Sequence, residues 1–432
     1  MTDEKLDANW DTWDYGSREP LFLPLEDFTE REKELLIKSE TFCMLPWIHV
    51  HGYPDGKAYP CCLAEYHHPV GSLKKNTMEE VWREKPMQTM RENMLVNKPC
   101  VECTKCYEQE RTGFFSMRNS SNQTFGHHIK ETLRSDEFKI RYYDIRFSNL
   151  CNFSCRSCGD IFSSNWVKEY KKYGWLPMDA PNVTYAGRYK TDIWEQTLPH
   201  VPYFQEVYFA GGEPLMMQEH WNLLDELIKQ GRTDVKLVYN TNFSETIFKD
   251  RDVFDIWKEF DEVSIGASLD ASYARGELMR KGTNWSQIVS NRERMLTVCP
   301  DVDFYISSTL SIMNSYHIPE FHKEWIELGL LEPMDWNINI LQGPEYYRID
   351  VLPEVMKQEV LAIYNDHIEY LSDKDKFKRA INGFKSAMNY MTSTDNSKLI
   401  PKLLKNLDKL DQLRKENFFT VFPELEKLQD YA

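Results

Sequence analysis

The run Cys151-Asn-Phe-Ser-Cys155-Arg-Ser-Cys158 follows directly on an apolar, strand-like segment, and no other feature constrains the chain as much. Three thiolates at C-x3-C-x2-C spacing form a three-point ligand set. A cubic four-iron cluster is normally closed by four thiolates, so a three-cysteine set leaves one iron open to a small molecule, as in catalytic metal sites. Such a site serves chemistry rather than scaffolding. A zinc site, which prefers four closed ligands, suits the run less well.

The 432 residues suffice for two or three domains, and 41% hydrophobic content is ample for packed cores. A net charge of -16 opposes broad attraction to nucleic acid, so no nucleic-acid partner is expected. No apolar run approaches the roughly 20 residues that span a bilayer, and the start Met-Thr-Asp-Glu-Lys-Leu-Asp lacks a secretion signal. No membrane association and a cytoplasmic location are expected. Nine of the ten cysteines lie between Cys43 and Cys158, and in a reducing compartment their C-x2-C spacings favour metal ligation over disulfides. Cys299 stands apart, as a buried inert thiol.

Residues 1–28 read as a leader arm. Capping boxes, Thr29 with Glu32 and Thr77 with Glu80, open helices, and Pro86 interrupts the second apolar face before Met90 and Met94. Between them, the strand-like His49-Val50-His51 and the turn Pro54-Asp55-Gly56 suggest a hairpin framed by cysteine-bearing loops. From about Lys139 strands and helices alternate. Strand candidates are Tyr142 to Phe147, Glu206 to Phe209, Leu237 to Asn240, Val263 to Ala267, Phe304 to Leu310 and Trp336 to Ile340. Helices such as Trp285 to Val298 separate them, in the rhythm of parallel βα units. The fold class is therefore α/β, a partial (β/α)6 TIM-like barrel over 136–345. A cysteine-rich domain at 29–125 precedes it and a helical extension at 350–432 follows, where Leu403, Leu404, Leu407 and Leu410 mark one face. Tyr173 to Pro199 reads as an insertion.

Loops after the strands of such a barrel carry the reactive groups. Gly211-Gly212-Glu213-Pro214 follows the second strand, where glycines admit close approach and Glu213 can accept hydrogen bonds from an ammonium group. Asn240 and Asn242 follow the third, and Ser268 and Asp270 the fourth. Any one of these could also be an ordinary turn residue.

The three cysteines together with Gly-Gly-Glu-Pro resemble the radical S-adenosylmethionine (SAM) superfamily, over about Lys139 to Gly343. The resemblance implies a [4Fe-4S] cluster on Cys151, Cys155 and Cys158 that binds and reductively cleaves SAM, and a 5'-deoxyadenosyl radical that abstracts a substrate hydrogen. It implies Gly211, Gly212, Glu213 and Pro214 at the SAM amino group, Asn240, Asn242, Ser268 and Asp270 toward the ribose or methionyl end, and Arg280 at the SAM carboxylate. It also implies an electron donor such as flavodoxin or ferredoxin. Ser157 stands where the superfamily usually has an aromatic residue near adenine.

The N-terminal cysteines are similar to the auxiliary-cluster domains called SPASM or twitch. This implies a second [4Fe-4S] cluster on Cys43, Cys61, Cys103 and Cys106, with Cys62 and Cys100 as spares; structural zinc is the rival reading of these cysteines. Three functions compete: a radical SAM enzyme acting on a peptide or protein, one acting on a small metabolite, and a two-cluster electron carrier or redox sensor without SAM chemistry. The 42 residues before Cys43 are too few for a separate leader-binding domain, which lowers the peptide reading.

Overall fold

The computed structural model describes residues 23, 25–111, 113, 115–187 and 192–431. The arm expected over 1–28 lies mostly outside them. The chain divides into two compact units: Met1–Asn149 with Thr184–Tyr239 and Ile256–Ser264, and Leu150–Val183 with Asn240–Asp255 and Ile265–Ala432.

Local signals build the first part of the first unit. Thr29 caps Glu30–Lys33 and Thr77 caps Met78–Arg83, each through a reciprocal bond with the glutamate three residues on. These boxes satisfy backbone N–H groups that a helix start leaves unpaired. The helix then breaks at Glu84, and Pro86 sits in the first turn of Lys85–Leu95, where its missing N–H costs nothing. Met87, Met90 and Met94 are buried along that helix. The expected hairpin is present: His51–Gly52 pairs antiparallel with Lys57–Tyr59, which pairs in turn with Gly71–Ser72. Gly56 in its turn has φ +83°, a conformation that favours glycine.

All six strand candidates form, in a six-stranded sheet where each strand lies beside its predecessor in sequence: Tyr142–Tyr143, Glu206–Phe209, Lys236–Thr241, Val263–Ala267, Asp303–Leu310 and Trp336–Ile340. That order is the one a rolled βα barrel has when opened. In the first unit Tyr142–Tyr143 and Glu206–Phe209 pair parallel, as do Glu206–Phe209 and Lys236–Thr241 over Glu206↔Lys236 to Phe209↔Tyr239. The first strand is shorter than expected because Asp144 to Phe147 leaves the ladder. There Ile145 bridges Gly52, and the Arg146 N–H donates to the Gly52 carbonyl at 2.8 Å.

In the second unit Asp303–Leu310 and Trp336–Ile340 pair parallel from Ile306↔Trp336 to Leu310↔Ile340. Helices Trp285–Val298 and Ile318–Glu327 bury Ile288, Met295, Phe321 and Trp325, and Cys299 ends the first of them, 3% exposed. The C-terminal region is helical as expected: Glu354–Leu371, Arg379–Ser393 and Ile400–Arg414. Leu403, Leu407 and Leu410 are buried along the last, while Leu404 is only half-buried.

Candidate functional site

The cysteine loop lies in the second unit and is held by its own backbone and by neighbours from distant sequence. Ser154–Cys155 forms a short strand antiparallel to Arg280–Lys281, which sets Cys155 opposite Arg280. The Arg280 guanidinium is 4.0 Å from Cys155 Sγ. Ser164 Oγ binds both the N–H and the carbonyl of Cys151, Trp166 donates from Nε1 to the Cys155 carbonyl at 2.8 Å, and the Cys158 N–H donates to that carbonyl at 3.0 Å. Burial pushes the Cys158 thiol up to about 12, and the neighbouring Cys155 adds to it. Thiols so crowded ionise readily only beside a cation. A metal cluster supplies one, so this donor set fits a bound cluster.

Of the other expected SAM contacts in this unit, several serve one another. Arg280 forms an ion pair with Asp270 at 2.8 Å, and the Asp270 carboxylate also accepts the Thr309 N–H at 2.8 Å. Asn242 donates to Asn152 Oδ1 at 2.8 Å and accepts from the Ser244 hydroxyl at 2.7 Å, which ties the loop after Lys236–Thr241 to the residue next to Cys151. The Ser268 N–H donates to the Thr241 carbonyl at 2.7 Å, beside Asn240. Gly282 was not anticipated. It has φ +112°, and a Cβ there would lie 2.8 Å from the Asn152 carbonyl oxygen. The Gly in Arg280-Lys281-Gly282 is what lets this strand pass the cysteine loop.

The Gly211-Gly212-Glu213-Pro214 turn lies in the first unit. Gly211 has φ +123°, and a Cβ on it would approach the Arg146 side chain to 3.2 Å. Glu213 is 1% exposed and caps the short helical turn Pro214–Met216, accepting from the Leu215 N–H.

The N-terminal cysteines also lie in the first unit. Burial raises the Cys61 thiol well above the usual range, and its charged neighbours are Cys62, Cys106, Cys103 and Cys43. Burial likewise raises Cys103, which has Cys43, Cys106 and Cys100 as neighbours, and carries Cys43 up to about 12. Cys43, Cys61, Cys103 and Cys106 recur as one another's neighbours, with Cys62 and Cys100 beside them. Cys62 also neighbours the Asp144 carboxylate, and Cys100 Sγ lies 3.8 Å from the carbonyls of Met90 and Lys98. Arg118, missed in the sequence, braces the set. It donates to the carbonyls of Ser39 and Phe42 ahead of Cys43 and pairs with Glu110 on the Cys106 helix at 2.7 Å.

Also unanticipated is a buried polar group formed by His49, His51, Asp144 and Arg146. The alternations His49-x-His51 and Asp144-x-Arg146 were its only sequence signal, since strand residues two apart share a face.

Residues 43–107 match the SPASM family, described as an iron-sulfur cluster-binding domain. No curated protein matches the chain. Among solved structures it is similar to native anSMEcpe with bound AdoMet, at 17% identity over 54% of this chain and 58% of that one, with a TM-score of 0.36. Streptococcus suis SuiB bound to S-adenosylmethionine gives 11% identity, 67% and 60% coverage and 0.34; TYW1 with a lysine-pyruvate adduct gives 12%, 53% and 71%, and 0.28. The chain spans less than two thirds of the length of the first of these, and likeness at this level carries no role across. The chain combines a parallel βα sheet, a C-x3-C-x2-C loop and, over residues 43–107, a match to an iron-sulfur cluster-binding domain.

Proposed function

We propose that the protein is a radical SAM enzyme whose Cys151, Cys155 and Cys158 hold the SAM-binding [4Fe-4S] cluster, and whose Cys43, Cys61, Cys103 and Cys106 hold an auxiliary one. The bound cluster supplies the electron that splits SAM into methionine and a 5'-deoxyadenosyl radical, which takes a hydrogen from a peptide, a protein side chain or a small metabolite. In this reading 29–125 is the auxiliary domain, 136–345 the barrel and 350–432 the extension. A flavodoxin or ferredoxin serves as reductant, in the cytoplasm.

The observation that supports it above all is the three-cysteine loop braced on Arg280 at Cys155. The residues divide the work. Arg280 lowers the local cost of thiolate charge and is itself oriented by Asp270. Asn152, Asn242 and Ser244 shape the loop that follows Cys151, and Gly211 to Pro214 offer backbone groups and one buried carboxylate to an ammonium group. An electron carrier needs none of these.

The test is turnover. Anaerobically reconstituted, reduced protein is expected to convert SAM to 5'-deoxyadenosine, and Cys155→Ala to abolish this. Equal product from both proteins sinks the assignment. Isotope-labelled SAM incubated with cell extract, read by mass spectrometry, then identifies the substrate.

A further inference from the structure

The segment His49–Gly52 runs beside Arg141–Arg146 without a regular ladder. Backbone bonds hold its ends: the Arg141 N–H donates to the Ile48 carbonyl at 3.0 Å and the Arg146 N–H to the Gly52 carbonyl at 2.8 Å. Between them imidazoles replace backbone donors. His49 Nδ1 lies 2.8 Å from the Tyr142 carbonyl and His51 Nδ1 2.8 Å from the Asp144 carbonyl. A carbonyl oxygen can only accept, so each Nδ1 carries the proton and each Nε2 is left as a lone pair. Both rings are fully buried, and neither Nε2 has a hydrogen-bond partner among the described residues. Leaving a buried acceptor unsatisfied costs about 1–3 kcal/mol, and here there are two.

One nitrogen of each ring and a carboxylate oxygen of Asp144 all lie within 4.8 Å of one another, and His51 Nδ1 itself lies 3.3 Å from Asp144 Oδ2. Burial alone would raise the Asp144 carboxyl, but Arg146 and His51 carry it down to about 2. Burial pulls His49 down to about 3, the neutral form that ligates. Metal-bound histidines commonly donate their other ring N–H to a backbone carbonyl, as both do here. Arg146 pairs with Asp144 at 3.0 Å and opposes a further cation.

We propose that His49, His51 and Asp144 form a buried site for one borderline dication of the zinc class, distinct from the set of Cys43, Cys61, Cys103 and Cys106. Two imidazole nitrogens and a carboxylate oxygen suit zinc. Nothing in this depends on SAM cleavage, so the two ideas fail separately.

The experiment loads cluster-reconstituted protein with zinc sulfate, desalts it, and measures zinc, iron and the zinc K-edge absorption. About one zinc per chain is expected, in a shell of imidazole nitrogen and oxygen. His49→Gln and His51→Gln are each expected to lower retained zinc at least ~10-fold with iron unchanged. No retained zinc, as when a water fills the site, overturns the proposal. So do a shell of three or four sulfurs and full retention by both variants. If the variants do not fold, the absorption spectrum of the unaltered protein decides.

Discussion

Arg156 sits inside the cysteine loop, yet its partners come from the far end of the chain. Its side chain is fully buried and pairs with Asp411 at 2.5 Å and Glu416 at 2.7 Å. Arg156→Met keeps the length and removes the charge, so little cavity forms. Breaking a buried ion pair costs about 3–5 kcal/mol. Here each carboxylate keeps a second partner, the Phe418 N–H for Asp411 and Lys281 for Glu416, and each is nearly a fifth exposed. Solvent and these partners reduce the loss to about 2 kcal/mol. Since ~1.4 kcal/mol is a factor of ten, amides of helix Ile400–Arg414 are expected to exchange hydrogen roughly 30-fold faster. Mass-spectrometric hydrogen exchange reads this directly, with strand Glu206–Phe209 as the internal control. Unchanged protection in the helix, or an equal rise in helix and control, refutes the idea that this pair pins the helix to the loop. A cycle with Asp411→Asn isolates the pairwise part.

Cys103→Ala is expected to remove one cluster's worth, about four of about eight irons per chain, while leaving 5'-deoxyadenosine formation detectable; iron analysis checks it, and unchanged iron counts against the auxiliary set. Gly282→Ala is expected to destabilise by more than ~1 kcal/mol, because alanine is strained at a positive φ and meets the Asn152 carbonyl; a urea midpoint equal to that of the unaltered protein would contradict this. Acid should weaken the fold through buried histidines. Burial holds His322 well below its ordinary value, and His367, to which it is bonded at 3.0 Å, at about 4. The unfolded chain takes up protons first as pH falls below about 6.5, so stability present above that pH is lost between about 6.5 and 4. The slope is up to ~1.4 kcal/mol per pH unit for each histidine. Urea midpoints at pH 7.5 and 5 that coincide would exclude the effect.

Local chemistry was legible in the chain itself. Thr29 with Glu32 and Thr77 with Glu80 cap helices, Pro86 starts one, and the six apolar runs become strands, because each depends on hydrogen bonds and side-chain periods within a few residues. The C-x3-C-x2-C spacing likewise brings three thiols into one short loop. Folding decided the partners. Cys61 and Cys62 are adjacent in sequence and both neighbour Cys106, but only Cys62 also meets the Asp144 carboxylate. Arg280, expected at a ligand carboxylate, is engaged by Asp270, and Arg156 by residues some 255 positions away. Such contacts are closed by loops far longer than any local pattern, and which charges meet there depends on how the intervening chain packs. Spacing along the chain carries no record of it.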